Sequence, residues 1–151
     1  MKKNFEILRT YRRSLVKEID DLDMDQIQKI PKGFKNNIFW NVAHILVSQQ
    51  ILHYTMSGLT PLITNDWIEN YQKGTYPRFI NTEDEIQYLK DKLITSIDQL
   101  ESDYNENKFI SYTKYESQMG FEISSIEDAI TLNNTHEAMH YGIVITMKKL
   151  V

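Results

Sequence analysis

Apolar residues recur every three or four positions through most of the chain, which is the period of an amphipathic α-helix. The pattern predicts four main helices, at residues 3–22, 37–57, 83–103 and 125–150. The second is apolar on almost every face, which favours a central place in a helical bundle. The predicted inner stripe of the first helix consists of apolar residues three or four apart: Phe5, Leu8, Tyr11, Leu15, Ile19 and Leu22.

Capping residues mark where three of these helices begin. Asn36 and Asn37 are both good N-terminal caps for the second helix. The string Thr82-Glu83-Asp84-Glu85 has the form of a capping box before the third helix, and Ser124-Ser125-Ile126-Glu127 has it before the fourth. In each case a side-chain oxygen can accept a hydrogen bond from the free backbone N–H groups of the first turn.

Two long connections separate the helices. Residues 61–80 include two prolines and a glycine, and one helical turn is predicted near Asp66–Tyr71. Residues 101–123 are polar and weakly periodic, with Gly120 near their end. We find no internal repeat and no interdomain linker. The sequence therefore predicts a single all-α domain, residues 1–151, folded as a four-helix bundle with two long connections, an architecture that often houses metal sites in its core.

Composition narrows the possible functions. The formal net charge of -4 argues against nucleic-acid binding, which needs Lys and Arg to displace the counterions of phosphate. The chain has no cysteine, which excludes disulfides, Cys-ligated zinc and a thiol nucleophile of its own. It shows neither a signal peptide nor an apolar run that could span a bilayer, so we expect a cytoplasmic protein without membrane contact. The basic residues of the first helix are predicted to form a solvated face: Lys2, Lys3, Arg9, Arg12, Arg13 and Lys17.

Three of the four histidines occupy positions from which they can bind one metal ion. His136 and His140 are four residues apart in the last helix, so their side chains lie about 40° apart and one turn displaced. His44, in the second helix, can supply a third imidazole from a facing helix. Three nitrogen ligands with open coordination positions are typical of a catalytic metal site. His53 lies nine residues beyond His44 and is predicted to point to the opposite side of its helix.

Polar residues accompany the histidines on both helices. Asn41, His44 and Ser48 share one side of the second helix, and Asn133 lies in the predicted inner stripe of the fourth. A polar strip in a bundle core has to be satisfied by side chains, by water or by a ligand, and all three alternatives are open. The two histidines of the last helix can likewise be held by hydrogen bonds alone. We predict that Asn41, Ser48 and Asn133 line a pocket beside the metal.

The string His136-Glu137-Ala138-Met139-His140 also matches the H-E-x-x-H pattern of zinc metalloproteases. Those enzymes usually take a third ligand from downstream, and residues 141–151 contain no His, Asp or Glu, so the protease interpretation is disfavoured. Glu137 lies about 100° from His136 around the helix, which makes it a surface or interface carboxylate. It is kept as a fourth pocket-lining candidate because it can also act as a base toward water at the metal.

The order and spacing of these motifs resemble the DinB-like superfamily of small four-helix bundles. The resemblance covers nearly the whole chain, although each motif is short. It implies that His44, His136 and His140 bind one divalent transition metal, zinc or nickel, and that the protein is a homodimer. The residues that carry it are Trp40-x-x-x-His44, Gly58 at the end of that helix, Gly120 before the last helix, and His136-x-x-x-His140 followed by Gly142.

The resemblance is less informative about activity. Some similar proteins are metal-dependent transferases or isomerases that use low-molecular-weight thiols such as bacillithiol or mycothiol. We therefore expect a metal-dependent enzyme that transfers an external low-molecular-weight thiol to a small-molecule electrophile, with no catalytic side chain assigned. A metal-dependent hydrolase is one alternative, and a non-catalytic metal- or small-ligand-binding stress protein is another.

Overall fold

The computed structural model describes residues 1–117 and 119–151. Within these ranges the chain forms six α-helices and one two-stranded antiparallel sheet. Short 3₁₀ turns at Thr55–Ser57 and Lys148–Leu150 follow the third and sixth helices. The elements in chain order are α1 (Lys2–Asp20), α2 (Met24–Gln28), α3 (Ile38–His53), α4 (Asn65–Tyr71), α5 (Glu83–Asn105), β1 (Tyr115–Glu116), β2 (Glu122–Ile123) and α6 (Ile126–Met147).

The four long helices form a bundle with an apolar core. α1 packs on α5 and α6, and α3 packs on the same two helices, so α1 and α3 lie at opposite corners. Thirteen of the sixteen residues of α3 are buried, because α4 covers the side of α3 that the other long helices leave free. The predicted all-α four-helix bundle is confirmed. None of the described helices is both long enough and apolar enough to cross a membrane.

Helix starts follow the predicted capping signals closely. Asn37 is the cap of α3, and its side chain accepts a hydrogen bond from the backbone N–H of Trp40. Thr82 and Glu85 form the predicted capping box at the start of α5. At α6 the cap is Ser125 rather than Ser124, one residue later than the sequence pattern suggested.

Helix ends and connections show the larger differences. α2 was not predicted, although a capping box begins it at Asp23. The predicted second helix stops being α-helical at His53, and Gly58 then takes a left-handed conformation with φ of 73°, which a side chain would disfavour. The connection from residue 101 is shorter than predicted, since α5 continues to Asn105, and it contains the short β1–β2 pairing.

The inner face of α1 differs from the predicted stripe by one residue. Arg12, and not Tyr11, occupies the buried position between Leu8 and Leu15. The Arg12 side chain is 0% exposed, whereas Tyr11 is only partly buried and packs on the ring of Tyr141 at 5.6 Å. Arg12 is therefore not part of the solvated basic face that the sequence suggested.

Candidate metal centre

Three histidines converge where α3 packs against α6. His44 comes from α3, and His136 and His140 come from successive turns of α6. One ring nitrogen of each lies within 4.8 Å of those of the other two. Their ring centroids are 5.3 Å apart for His44 and His136, 4.9 Å for His44 and His140, and 4.6 Å for His136 and His140. The structure thus brings together the three residues that helical spacing had selected.

His44 is held on several sides. Its Nδ1 lies 2.7 Å from the backbone carbonyl oxygen of Tyr71, at the end of α4. The hydroxyl of Ser48, one turn further along α3, lies 3.3 Å from the Nε2 atom. The indole ring of Trp40 stacks on the imidazole with a centroid distance of 4.7 Å and an interplanar angle of 9°. The ring of His44 therefore has a defined orientation before any ligand binds.

The two histidines of α6 have different surroundings. His140 is 7% exposed, and its Nδ1 lies 3.0 Å from the side-chain oxygen of Asn41 on α3. His136 is partly buried, and its Nδ1 has no hydrogen-bond partner within the described residues. A buried imidazole nitrogen without a partner is costly. A bound cation that engages this ring would offset that cost.

Electrostatics keep the three rings neutral at physiological pH. Burial, together with a smaller effect of the neighbouring histidines, lowers the pKa of His136 to about 4 and that of His140 to about 3. Burial also lowers the pKa of His44, against a smaller opposing effect of the Tyr71 carbonyl. Neutral imidazole is the form that ligates metals. Among the described residues no carboxylate belongs to this group of donor atoms, so the chemistry of the three residues fits a divalent transition metal.

Glu137 does not lie on the surface, so the surface alternative of that expectation was wrong. Its side chain is 0% exposed because this side of α6 packs against α1. Its carboxylate accepts hydrogen bonds from the Arg12 Nη2 atom at 2.6 Å, from Arg12 Nε at 3.1 and 3.2 Å, and from the Asn133 amide at 2.8 Å. Arg12 also donates to the Leu93 carbonyl and to the Ser96 hydroxyl.

The four predicted pocket residues therefore fall into two groups. Asn41 and Ser48 contact ring nitrogens of the histidines, as described above. Asn133 and Glu137 belong instead to the hydrogen-bonded cluster around Arg12. That all four line a substrate pocket stays a prediction.

His53 lies outside the histidine group, as its place on the helix indicated. It is fully buried, and its Nδ1 lies 2.7 Å from the Gln49 carbonyl oxygen. Sequence reasoning missed the Tyr71 carbonyl that holds His44, because a backbone acceptor leaves no mark in the sequence. It also missed Arg12, although the three-and-four spacing of Phe5, Leu8 and Arg12 could have revealed that burial.

The chain belongs to the DinB superfamily, whose family model matches residues 7–144. The crystal structure of a conserved protein from Enterococcus faecalis has a similar fold, with a TM-score of 0.69 over 99% of this chain and 95% of that chain. The two sequences are 14% identical, so the likeness shows the fold alone. None of the curated proteins matches the chain.

Proposed function

We propose that this chain is a metal-dependent enzyme that transfers a low-molecular-weight thiol to a small electrophilic molecule. The observation that carries the proposal is the convergence of three imidazole donors, with nitrogens within 4.8 Å of one another. Imidazole suits zinc, nickel, iron and copper. Zinc or nickel is proposed here, in keeping with the resemblance of the motifs to metal-binding members of the superfamily.

Each part of the site has a chemical role in this proposal. A divalent cation held by neutral imidazoles keeps its full charge and lowers the pKa of a thiol that coordinates it, so that a sulfur nucleophile is available at neutral pH. The chain's own contribution is to fix His44 and His140 through the Tyr71 carbonyl and the Asn41 amide. In the reaction a carbon–sulfur bond forms while the bond from that carbon to the halide or the epoxide oxygen breaks, and the halide or oxygen keeps the electron pair. The thiol proton passes to solvent or, with an epoxide, to the new alkoxide.

The surroundings of the histidines favour thiol transfer over hydrolysis. A metal ion acidifies water as well as thiols, and hydrolysis at such a site is further assisted by a base within hydrogen-bond reach of the attacking water. Glu137, the carboxylate suggested for that role, is engaged by Arg12 and Asn133 on the α1 side of α6. Because the chain has no cysteine, the thiol has to be an external cosubstrate.

Thiol dependence of turnover tests the proposal. Protein loaded with zinc or nickel is assayed with bacillithiol, coenzyme A and glutathione against an activated halide and an epoxide. We expect turnover that requires a thiol, and we expect His136→Ala to abolish it rather than only to raise KM, because the cation stabilises charge in the transition state. If no thiol gives turnover above a metal-free control, a non-catalytic metal-binding protein replaces this proposal, and turnover without any thiol favours the hydrolase.

Glu137→Gln is the companion variant. A glutamine oxygen can still accept a hydrogen bond from Arg12, and circular dichroism checks that the variant is folded. A small change in kcat is expected if Glu137 only holds the bundle together. A large loss of kcat in folded protein that binds zinc as tightly as the wild type would favour water activation and contradict thiol transfer.

We also propose that the protein works as a cytoplasmic homodimer. Its cosubstrate would be a thiol that the cytoplasm keeps reduced. Several large apolar side chains are exposed on one chain, among them Ile80 at 83%, Ile110 at 93% and Phe121 at 56%. Light scattering that returned only the 17.9 kDa monomer across micromolar concentrations would contradict the dimer.

A further inference from the structure

We infer that Asn41 is a positioning residue that fixes the tautomer of His140 and thereby leaves the Nε2 lone pair of His140 free for a metal ion. The part about metal rests on the proposed function. The part about the tautomer concerns the metal-free protein and can be tested independently of it.

The orientation of the Asn41 amide follows from its neighbours. Its Nδ2 atom lies 2.8 Å from the backbone carbonyl oxygen of Asn37, one turn earlier in α3, and 3.5 Å from the sulfur of Met147. Both of these atoms can only accept hydrogen bonds, so the NH₂ group of the amide has to face them. The side-chain oxygen is then the atom that faces His140, at 3.0 Å from Nδ1.

The tautomer of His140 follows from that orientation. A neutral imidazole carries one proton, and the nitrogen without it is an acceptor or a metal ligand. An amide oxygen cannot donate, so the Nδ1 of His140 has to hold the proton. The lone pair is therefore on Nε2, the nitrogen that Asn41 does not contact.

His44 reaches the same tautomer by a different acceptor. The Tyr71 carbonyl oxygen, 2.7 Å from Nδ1, requires the proton there, and the Ser48 hydroxyl can donate to the unprotonated Nε2. For His136 the described residues offer no partner to Nδ1. Two of the three rings are thus preset by the chain, and the third is free to adjust. A substitution can remove the acceptor for His140, which is the Asn41 side chain, but not the acceptor for His44, which is a backbone carbonyl.

Hydrogen bonds of this kind matter for metal affinity. A partner that fixes the tautomer and orientation of a ligating histidine typically contributes roughly 10–100-fold in metal affinity. Loss of the Asn41 oxygen should therefore weaken metal binding without removing any ligand. Asn41→Leu removes the acceptor oxygen at similar volume.

The first experiment reads the tautomer directly. Metal-free protein with ¹⁵N-labelled histidine is studied by long-range ¹⁵N–¹H correlation at neutral pH, which distinguishes protonated from unprotonated ring nitrogens. In the wild type we expect the His140 proton on Nδ1. In Asn41→Leu we expect the Nε2-protonated form to become populated. A wild-type His140 with its proton on Nε2 would overturn the inference without any variant.

The second experiment measures zinc affinity by calorimetry in the same two proteins, with circular dichroism as a check on folding. Gln50→Leu is the matched control, because it removes another buried amide of α3, one that accepts from the Leu62 N–H at 2.7 Å. We expect roughly 10–100-fold weaker binding in Asn41→Leu and little change in the control. Equal affinity of wild type and Asn41→Leu would overturn the positioning role. A wild type that binds no zinc would overturn the proposed function, while the tautomer result stands by itself.

Discussion

Arg12 and Glu137 form an ion pair in which both side chains are 0% exposed, with 2.6 Å between Nη2 and Oε1. The pair joins α1 to α6, the helix that carries two of the three histidines. Arg12 also donates to the Ser96 hydroxyl at 2.8 Å, and that hydroxyl donates to Gln49 on α3 at 2.9 Å. The cluster therefore links all four long helices and holds α3 and α6 in the arrangement that brings the histidines together.

Removing one member of this pair should be strongly destabilising. Arg12→Met leaves the buried Glu137 carboxylate without its charged partner, which typically costs about 3–5 kcal/mol. We expect a loss of that size in the free energy of unfolding from urea denaturation. The double variant Arg12→Met/Glu137→Leu should lose less than Arg12→Met, because no unpaired charge stays buried. A loss below about 1 kcal/mol in Arg12→Met would contradict the account, since it would match an exposed pair.

The helical period was enough to predict the bundle and the meeting of the histidines. The residues on one face of a helix follow from sequence spacing, and His136 and His140 had the required separation. What the period could not supply was the exact rotation of each helix against its neighbours. An error of one residue, about 100°, placed Tyr11 inside instead of Arg12, and Glu137 outside instead of inside. The two errors concern the two partners of one ion pair. Since each partner was expected outside the core, neither indicated that the other was buried.

The contacts around the metal ligands were beyond the sequence for another reason. Tyr71, whose carbonyl oxygen lies beside His44, is in the long connection between α3 and α5. The course of such a connection depends on tertiary packing. The rings of Phe39, Trp67 and Tyr71 pack on one another and hold α4 against α3. The sequence predicted the helical turn near these residues, but not where it would dock.

Folding stability should depend on the buried His53. Burial lowers its folded-state pKa from 6.5 to about 4, so the unfolded chain binds a proton on His53 that the folded chain rejects within this window. The contribution of neutral His53 to the free energy of unfolding is therefore fully present above pH 6.5 and is lost as the pH falls toward 4. The free energy of unfolding of His53→Gln should therefore fall less steeply with decreasing pH than that of the wild type. The difference in slope should be about 1.4 kcal/mol per pH unit within that window. Urea denaturation of metal-free protein across the window measures this, and parallel curves for the two proteins would contradict it.

Trp40 should report on metal binding. Its indole stacks on the His44 imidazole at 4.7 Å, so a cation at His44 changes the surroundings of the fluorophore. In Trp67→Phe, which keeps Trp40 as the single tryptophan, zinc should change the emission until one ion per chain is bound. In Trp40→Phe the remaining Trp67 packs against Phe39, Tyr71 and Tyr88 rather than against an imidazole, and it should respond less. Equal responses of the two proteins would show that the signal does not come from the histidine site.

The central claim is that His44, His136 and His140 together hold one divalent transition metal ion. Calorimetric titration with zinc and nickel, on wild type, His140→Ala and the control His53→Gln, tests it most directly. We expect one ion per chain in the wild type and in His53→Gln, and much weaker binding in His140→Ala, which loses one of three ligands. Equal affinity in the wild type and His140→Ala would contradict the claim and remove the metal site.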